Sequence, residues 1–224
     1  MSTLYLTGSS GGLGLVIRQY YLDRGWNVVG FDLSGDDYEH SNYLFIAFDS
    51  ADERSVESAF AQAAGRFGVP RALIATIGGI KPWASIENVD ISDFQFVLQL
   101  NLTSAFIAIK QAVKLMKPAD VGSIVTIGAE TALRHEQKKS AYVAAKAAVI
   151  ALTQEVALET KEYGVNTNCI VPTVIHTKAN EEWGTPDEMK RWTAPDDIAA
   201  LCYHLTSDSG KAINGAVIRI PNRM

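Results

Sequence analysis

The chain is expected to fold as an α/β protein, one domain over residues 1–224, built on a doubly wound parallel sheet with helices on both faces. Three observations carry that expectation. Short apolar runs alternate with helix-periodic segments along the whole length. A glycine-rich turn, Thr7-Gly8-Ser9-Ser10-Gly11-Gly12-Leu13-Gly14, joins the first apolar run to the first periodic segment. Chemically distinctive residues recur at the carboxyl ends of the predicted strands, where sheets of this kind hold ligands.

Residues 4–6 read as the first strand and 13–22 as the first helix. The glycines between them accept positive φ and let backbone approach a pyrophosphate, whose charge sits favourably at a helix N-terminus. A glycine turn that binds nothing is the alternative at this point. Gly25 is placed as the C′ residue of the helix. Residues 26–32 form a buried strand ending in Asp32, a carboxylate positioned to bond ribose hydroxyls and to repel a 2′-phosphate. The alternative is that Asp32 only opens the polar loop Ser34-Gly35-Asp36-Asp37.

A third strand spans 43–48 and is closed by Asp49; Asp52 then reads as the N-cap of a helix running to Arg66. Residues 72–77 form a fourth strand, and Gly78-Gly79 turns the chain away from it. Past a loop with Pro82 and Trp83, residues 91–117 are helix-periodic, with Asn101 in the middle. Asparagine is unfavourable inside a helix, so it either faces solvent or has a hydrogen-bonding task. Residues 122–128 form a fifth strand, 130–139 a polar loop, 141–161 a long helix, and 165–171 a sixth strand stopped by Pro172. Residues 178–192 read as a lid-like, partly helical excursion. Pro195 opens a last helix with Asp196 and Asp197 at the positive end of its dipole, and 216–220 is a final strand.

Bulk properties narrow the function class. Hydrophobic content of 47% and charged content of 20% are ordinary for a globular protein. A net charge of -5 without a basic stripe gives no footprint for nucleic acid. Neither an N-terminal signal segment nor an apolar run near 18 residues is evident, so no membrane partner is expected. Cys169 and Cys202 lie in apolar stretches, as buried thiols in a reducing cytoplasm would. No metal site is expected.

Tyr142-Val143-Ala144-Ala145-Lys146 carries the chemistry. A spacing of four puts both functional side chains on one helical face. A tyrosine with a pKa near ~10 is no base at neutral pH, but a lysine cation within reach favours the phenolate. In the opposite direction the phenol can give its proton to a carbonyl oxygen. Such pairs also occur by chance, as a core tyrosine beside a solvated lysine.

Together, the N-terminal Thr-Gly-x-x-x-Gly-x-Gly and the Tyr-x-x-x-Lys pair resemble the short-chain dehydrogenase/reductase family, over the whole chain. The resemblance implies a Rossmann-type fold, a nicotinamide cofactor and a small-molecule substrate. It implies catalytic roles for Tyr142, Lys146 and Asn101, the last supporting a proton-relay water. It implies cofactor contacts from Gly8, Ser10, Gly12, Leu13, Gly14, Asp32, Asp49, Gly78, Lys146, Pro172 and Thr177, the latter two within a segment that opens Asn168-Cys169-Ile170-Val171-Pro172. Asp32 looks like the family's NAD-selecting acid, and Gly11 stands where NADP-preferring members often carry a basic residue; NAD(H) is expected over NADP(H). Family members commonly pair their long helices, implying a homodimer or homotetramer.

Three positions depart from the family pattern. Thr76-Ile77-Gly78-Gly79 replaces Asn-Asn-Ala-Gly, keeping the turn but losing side-chain bonds, and Thr173 replaces a glycine. Ala129 stands where the family has its catalytic serine, thirteen residues before the tyrosine. Losing one oriented donor to a developing oxyanion costs on the order of 2.7–4 kcal/mol. Either the substrate needs little polarisation, as in the dihydropteridine reductases of the family, or Thr131, Glu130 or His135 substitutes. From a different class comes a non-catalytic dinucleotide-binding sensor or scaffold, against which the joint retention of Tyr142, Lys146 and Asn101 argues.

Overall fold

The computed structural model describes residues 1–35, 37–80 and 83–221. Within them one parallel sheet contains β1 Thr3–Thr7, β2 Asn27–Asp32, β3 Tyr43–Ala47, β4 Ala72–Ala75, β5 Gly122–Ile127, β6 Val165–Pro172 and β7 Val217–Ile220. The strand order is β3-β2-β1-β4-β5-β6-β7. The chain begins in the middle, winds out to β3, then returns to place β4 on the other side of β1. That reversal opens a crevice at the carboxyl ends of β1 and β4.

Alternation along β1 explains why helices cover both faces. Tyr5 joins Phe31, Phe60, Leu73, Met116 and Ile124 on one side, under α2 (Glu53–Phe67), α4 (Ser104–Met116) and α6 (Ser140–Thr160). Leu4 and Leu6 join Ile17, Tyr21, Ile74 and Leu205 on the other, under α1 (Gly12–Leu22) and α9 (Pro195–Thr206). Tyr5 meets Phe31 and Phe60 edge-on at ring distances of 5.3 and 5.1 Å. Truncating such a buried aromatic costs about 3–5 kcal/mol.

Local signals behave largely as their chemistry requires. Asp52 caps α2 by accepting the Arg54 N–H, and Pro195 opens α9 with Asp196 and Asp197 in its first turn. Gly25 has φ +74° but lies two residues past the C-cap, Asp23, rather than next to it. The segment 91–117 is not one uniform helix: α3 (Ile91–Leu98) passes through a π-helical turn, Gln99–Thr103, into α4. The 130–139 loop holds a short helix, α5 (Thr131–Arg134), and the 178–192 excursion contains α7 (Lys178–Glu181) and α8 (Pro186–Met189). Two helical stretches, Ile91–Ala119 and Ser140–Tyr163, are long and apolar enough to cross a membrane by length and composition, contrary to the reading of the raw sequence. Both contribute to the core beside the sheet. Asp36 and Pro82 lie outside the described residues.

Candidate active site

The glycine turn leaves β1 with Gly8 at φ +75°, a conformation that a side chain strains. A Cβ on Gly14 would stand 2.1 Å from the Gly8 carbonyl oxygen, so its absence lets α1 start directly over the turn. Leu13 is buried in the core and anchors that first helical turn. Gly12 faces Thr177, whose Cβ would lie 2.9 Å from an added methyl. The turn after β1 and the segment after β6 are therefore in contact, as their shared assignment to one ligand requires. Asp32, at the end of β2, accepts the Ser10 N–H at 3.1 Å and the Leu33 N–H at 2.8 Å, one on each carboxylate oxygen. A carboxylate oxygen has room for a second donor. Ser10 is held from its other end, its hydroxyl donating to the Ser34 carbonyl at 2.7 Å.

The π turn sets Asn101 deep in the protein, 1% exposed. Its Nδ2 donates to the Val97 and Gly79 carbonyls at 3.0 and 2.9 Å, and its Oδ1 accepts the Gly79 N–H at 3.1 Å. Asn101 thus grips the turn after β4. A Cβ on Gly78 would sit 2.7 Å from Asn101 Oδ1 and 3.0 Å from Lys146 Nζ, so only glycine lets the backbone pass between them. Lys146 is itself 4% exposed and donates to the Ile127 carbonyl at 2.8 Å, at the carboxyl end of β5. Burial pulls its pKa down from 10.5 to about 8.

Tyr142 corrects one expectation. Its pKa is pushed up to about 12, first by burial and then by the charge of Glu136, rather than lowered by the lysine. Lys146 Nζ lies 5.8 Å from the centre of the Tyr142 ring, and its donated bond goes to the β5 backbone instead. The phenol therefore holds its proton in the free protein.

Ala129 is buried at the end of β5. Of the three residues considered as replacements for its missing hydroxyl, Glu130 is committed elsewhere. It pairs with Arg134 at 2.8 Å and is bonded by Arg219 of β7, while its N–H donates to the Pro172 carbonyl at 2.9 Å. His135 is exposed, with φ 55°. Thr131 Oγ1 is shielded from solvent and has no hydrogen-bond partner among the described residues.

The outlying residues divide into two groups. Pro172 ends β6 with its carbonyl accepting the Glu130 N–H, and Thr177, at the N-cap position of α7, packs against Gly12 of the glycine turn. Asp49 lies just past β3 with its carboxylate turned to its own loop, accepting the Ala51 N–H at 2.9 Å; it is exposed at the rim. Asn168 faces away from the crevice. Its side chain is bonded to the Ile213 carbonyl and the Ala216 N–H, fastening β6 to the chain entering β7.

Two features escaped the sequence reading. Thr76 Oγ1 donates to the Thr7 carbonyl at 2.7 Å, so the turn after β4 keeps a side-chain bond to β1. A threonine directly after an apolar strand was the available signal. The Ile127 carbonyl that holds Lys146 is a backbone group with no signature at all.

Comparison with known proteins agrees with this geometry. A family model described as enoyl-(acyl carrier protein) reductase matches residues 8–221. D-threitol dehydrogenase of Mycolicibacterium smegmatis is 30% identical, over 94% of this chain and 88% of the relative. D-beta-hydroxybutyrate dehydrogenase of Cupriavidus necator is 28% identical, over 96% of this chain and 94% of its own. Among solved structures, 3-ketoacyl-(acyl-carrier-protein) reductase from Brucella melitensis complexed with NADH superposes with a TM-score of 0.90 at 20% identity, covering 98% and 96% of the two chains. ElxO with NADP bound gives 0.91 at 22%, with the same coverage. The chain belongs to the short-chain dehydrogenase/reductase family and is a nicotinamide-dependent oxidoreductase.

Proposed function

We propose that this protein transfers hydride between NAD(H), in preference to NADP(H), and a small carbonyl or alcohol substrate, with Tyr142 as the acid–base residue. The observation that carries the reading is the packing of Lys146, Gly78 and Asn101 one helical turn from Tyr142. The site residues fit a dinucleotide: a left-handed Gly8 turn, an anchored Asp32 with acceptor capacity to spare, and Thr177 against Gly12. A bound nicotinamide supplies or accepts the hydride. Tyr142 holds the proton destined for the carbonyl oxygen, and the Lys146 cation lowers the cost of the phenolate left behind. Asn101 holds the turn that flanks Lys146 and acts as a positioning residue.

Support for an alcohol or carbonyl substrate comes from the names of the relatives, a threitol dehydrogenase and a hydroxybutyrate dehydrogenase. Ala129 favours electrophiles that need little polarisation, of the quinonoid type, because no serine hydroxyl faces the reacting oxygen. The test is NADH oxidation against quinonoid dihydropterin, quinones and ketones. Tyr142→Phe is expected to lower turnover by about 10²–10⁴-fold with NADH affinity retained. Unchanged turnover in that variant would overturn the assignment.

A homodimer or homotetramer completes the proposal. Phe96, Phe106 and Leu158, on the long helices, are 55%, 47% and 64% exposed, a burden of apolar surface that pairing would cover. Sedimentation showing a monomer at micromolar concentration would contradict it.

A further inference from the structure

Three tryptophans from two separate segments meet beyond the carboxyl end of the sheet. Trp83 follows the Gly78-Gly79 turn, while Trp183 and Trp192 belong to the excursion after β6. Trp83 and Trp183 are edge to face, with centroids 5.5 Å apart, and Trp183 and Trp192 are tilted at 5.2 Å. Trp192 is fixed from behind. Its ring lies where a Cβ on Gly184 would stand, 2.1 Å away, and its other neighbour is His176 at 5.6 Å. A third segment joins through Lys139, three residues before Tyr142, whose ammonium lies 5.0 Å from the Trp83 ring and pairs with Glu136.

The chain of rings therefore bridges the segments that carry Gly78, Tyr142 and Thr177. Its members are only partly covered: Trp83 is 49% exposed and Trp183 47%. Large aromatic faces left half open beside a reaction site give strong contact with a flat partner at little entropic cost, since a tryptophan has only two side-chain torsions to fix. A small acyclic polyol or hydroxy acid covers less of that surface than a flat ring does.

Resting on the function proposed above, we infer that Trp83 and Trp183 are specificity-determining residues, an aromatic wall that selects substrates with a flat conjugated ring over small acyclic ones. This agrees with Ala129, because a conjugated electrophile is the class that least needs the missing donor.

The test compares kcat/KM for a flat quinone, menadione, with that for an acyclic ketone, acetoin. In Trp183→Ala the quinone-to-ketone ratio is expected to fall about tenfold, the size of a lost aromatic contact, and Trp183→Phe should restore most of it. An unchanged ratio overturns the inference. A second readout needs no turnover: calorimetric titration of the NADH-loaded protein with 2-naphthamide, a flat probe. Binding to the native chain that is lost in Trp83→Ala and Trp183→Ala, with NADH affinity unaltered, supports the wall. No binding to the native chain, or equal binding to the variants, refutes it. If the probe binds through the tryptophans while no carbonyl is reduced, the wall stands and the oxidoreductase reading of the substrate fails.

Discussion

Asn101 and Gly79 are joined by a reciprocal pair of hydrogen bonds, the Asn101 amide donating to the Gly79 carbonyl at 2.9 Å and accepting the Gly79 N–H at 3.1 Å. The side chain acts as a peptide group would, substituting for the strand partner that the turn after β4 no longer has. A buried polar pair of this kind is expensive to halve, because the orphaned partner keeps its desolvation cost.

Replacing Asn101 by Leu removes the bonds to Gly79 and Val97, and is expected to lower stability by about 2–5 kcal/mol. Replacing Gly78 by Ala forces a methyl against Asn101 and Lys146 with fewer bonds lost, so kcat/KM should fall more than stability does. Urea unfolding together with steady-state kinetics separates the two. Equal stability of Asn101→Leu and the native chain would show that the turn is held by something else.

Folding shifts alkaline titrations in opposite directions: burial lowers Lys146 and raises Tyr5, Tyr21, Tyr142, Cys169 and Cys202. The Lys146 pKa falls from 10.5 to about 8, so the unfolded chain holds that proton longer and this group adds stability as pH rises between those values, by on the order of 3 kcal/mol at most. The raised thiols and phenols act the other way, the folded chain keeping their protons longer, so that their contribution falls from about pH 9 upward. Lys146→Met removes the opposing contribution and should steepen the alkaline decline between pH 8 and 10.5. Denaturant midpoints measured from pH 7 to 11 decide this, and an unchanged profile in Lys146→Met would refute it.

The proposed preference for NAD(H) rests on Asp32, whose carboxylate accepts the Ser10 and Leu33 amides. Like charges brought together at a binding site cost several kcal/mol. Asp32→Ser is therefore expected to improve NADPH binding relative to NADH by about tenfold or more, read by calorimetry. A native chain that binds NADPH as tightly as NADH would end the proposal of NAD preference.

Ala129→Ser restores a hydroxyl at the end of β5. On simple ketones it should raise turnover, with a ceiling of about 10²–10³-fold for one oxyanion donor, and on quinones it should change little. An equal gain on both substrate types would mean that polarisation limits every reaction this site performs.

The sequence determined the alternation of strands and helices, the glycine turn, the acid ending β2 and the Tyr-x-x-x-Lys pair. Each is a local pattern: period two or 3.6, a residue without Cβ, or a fixed spacing on one helix. It also left Asn101 as an unfavourable helix residue in need of a task, which was the right question. Only the tertiary structure supplied the task, because the partner is the backbone of Gly79, 22 residues away, and a backbone amide has no sequence signature. The same holds for the Ile127 carbonyl that takes the Lys146 proton donor away from Tyr142, and for the burial that raises the phenol instead of lowering it. Glu130 and the three tryptophans are of this kind too. Their partners lie on other segments, and only the closed sheet decides which side chains share a volume and which water leaves it.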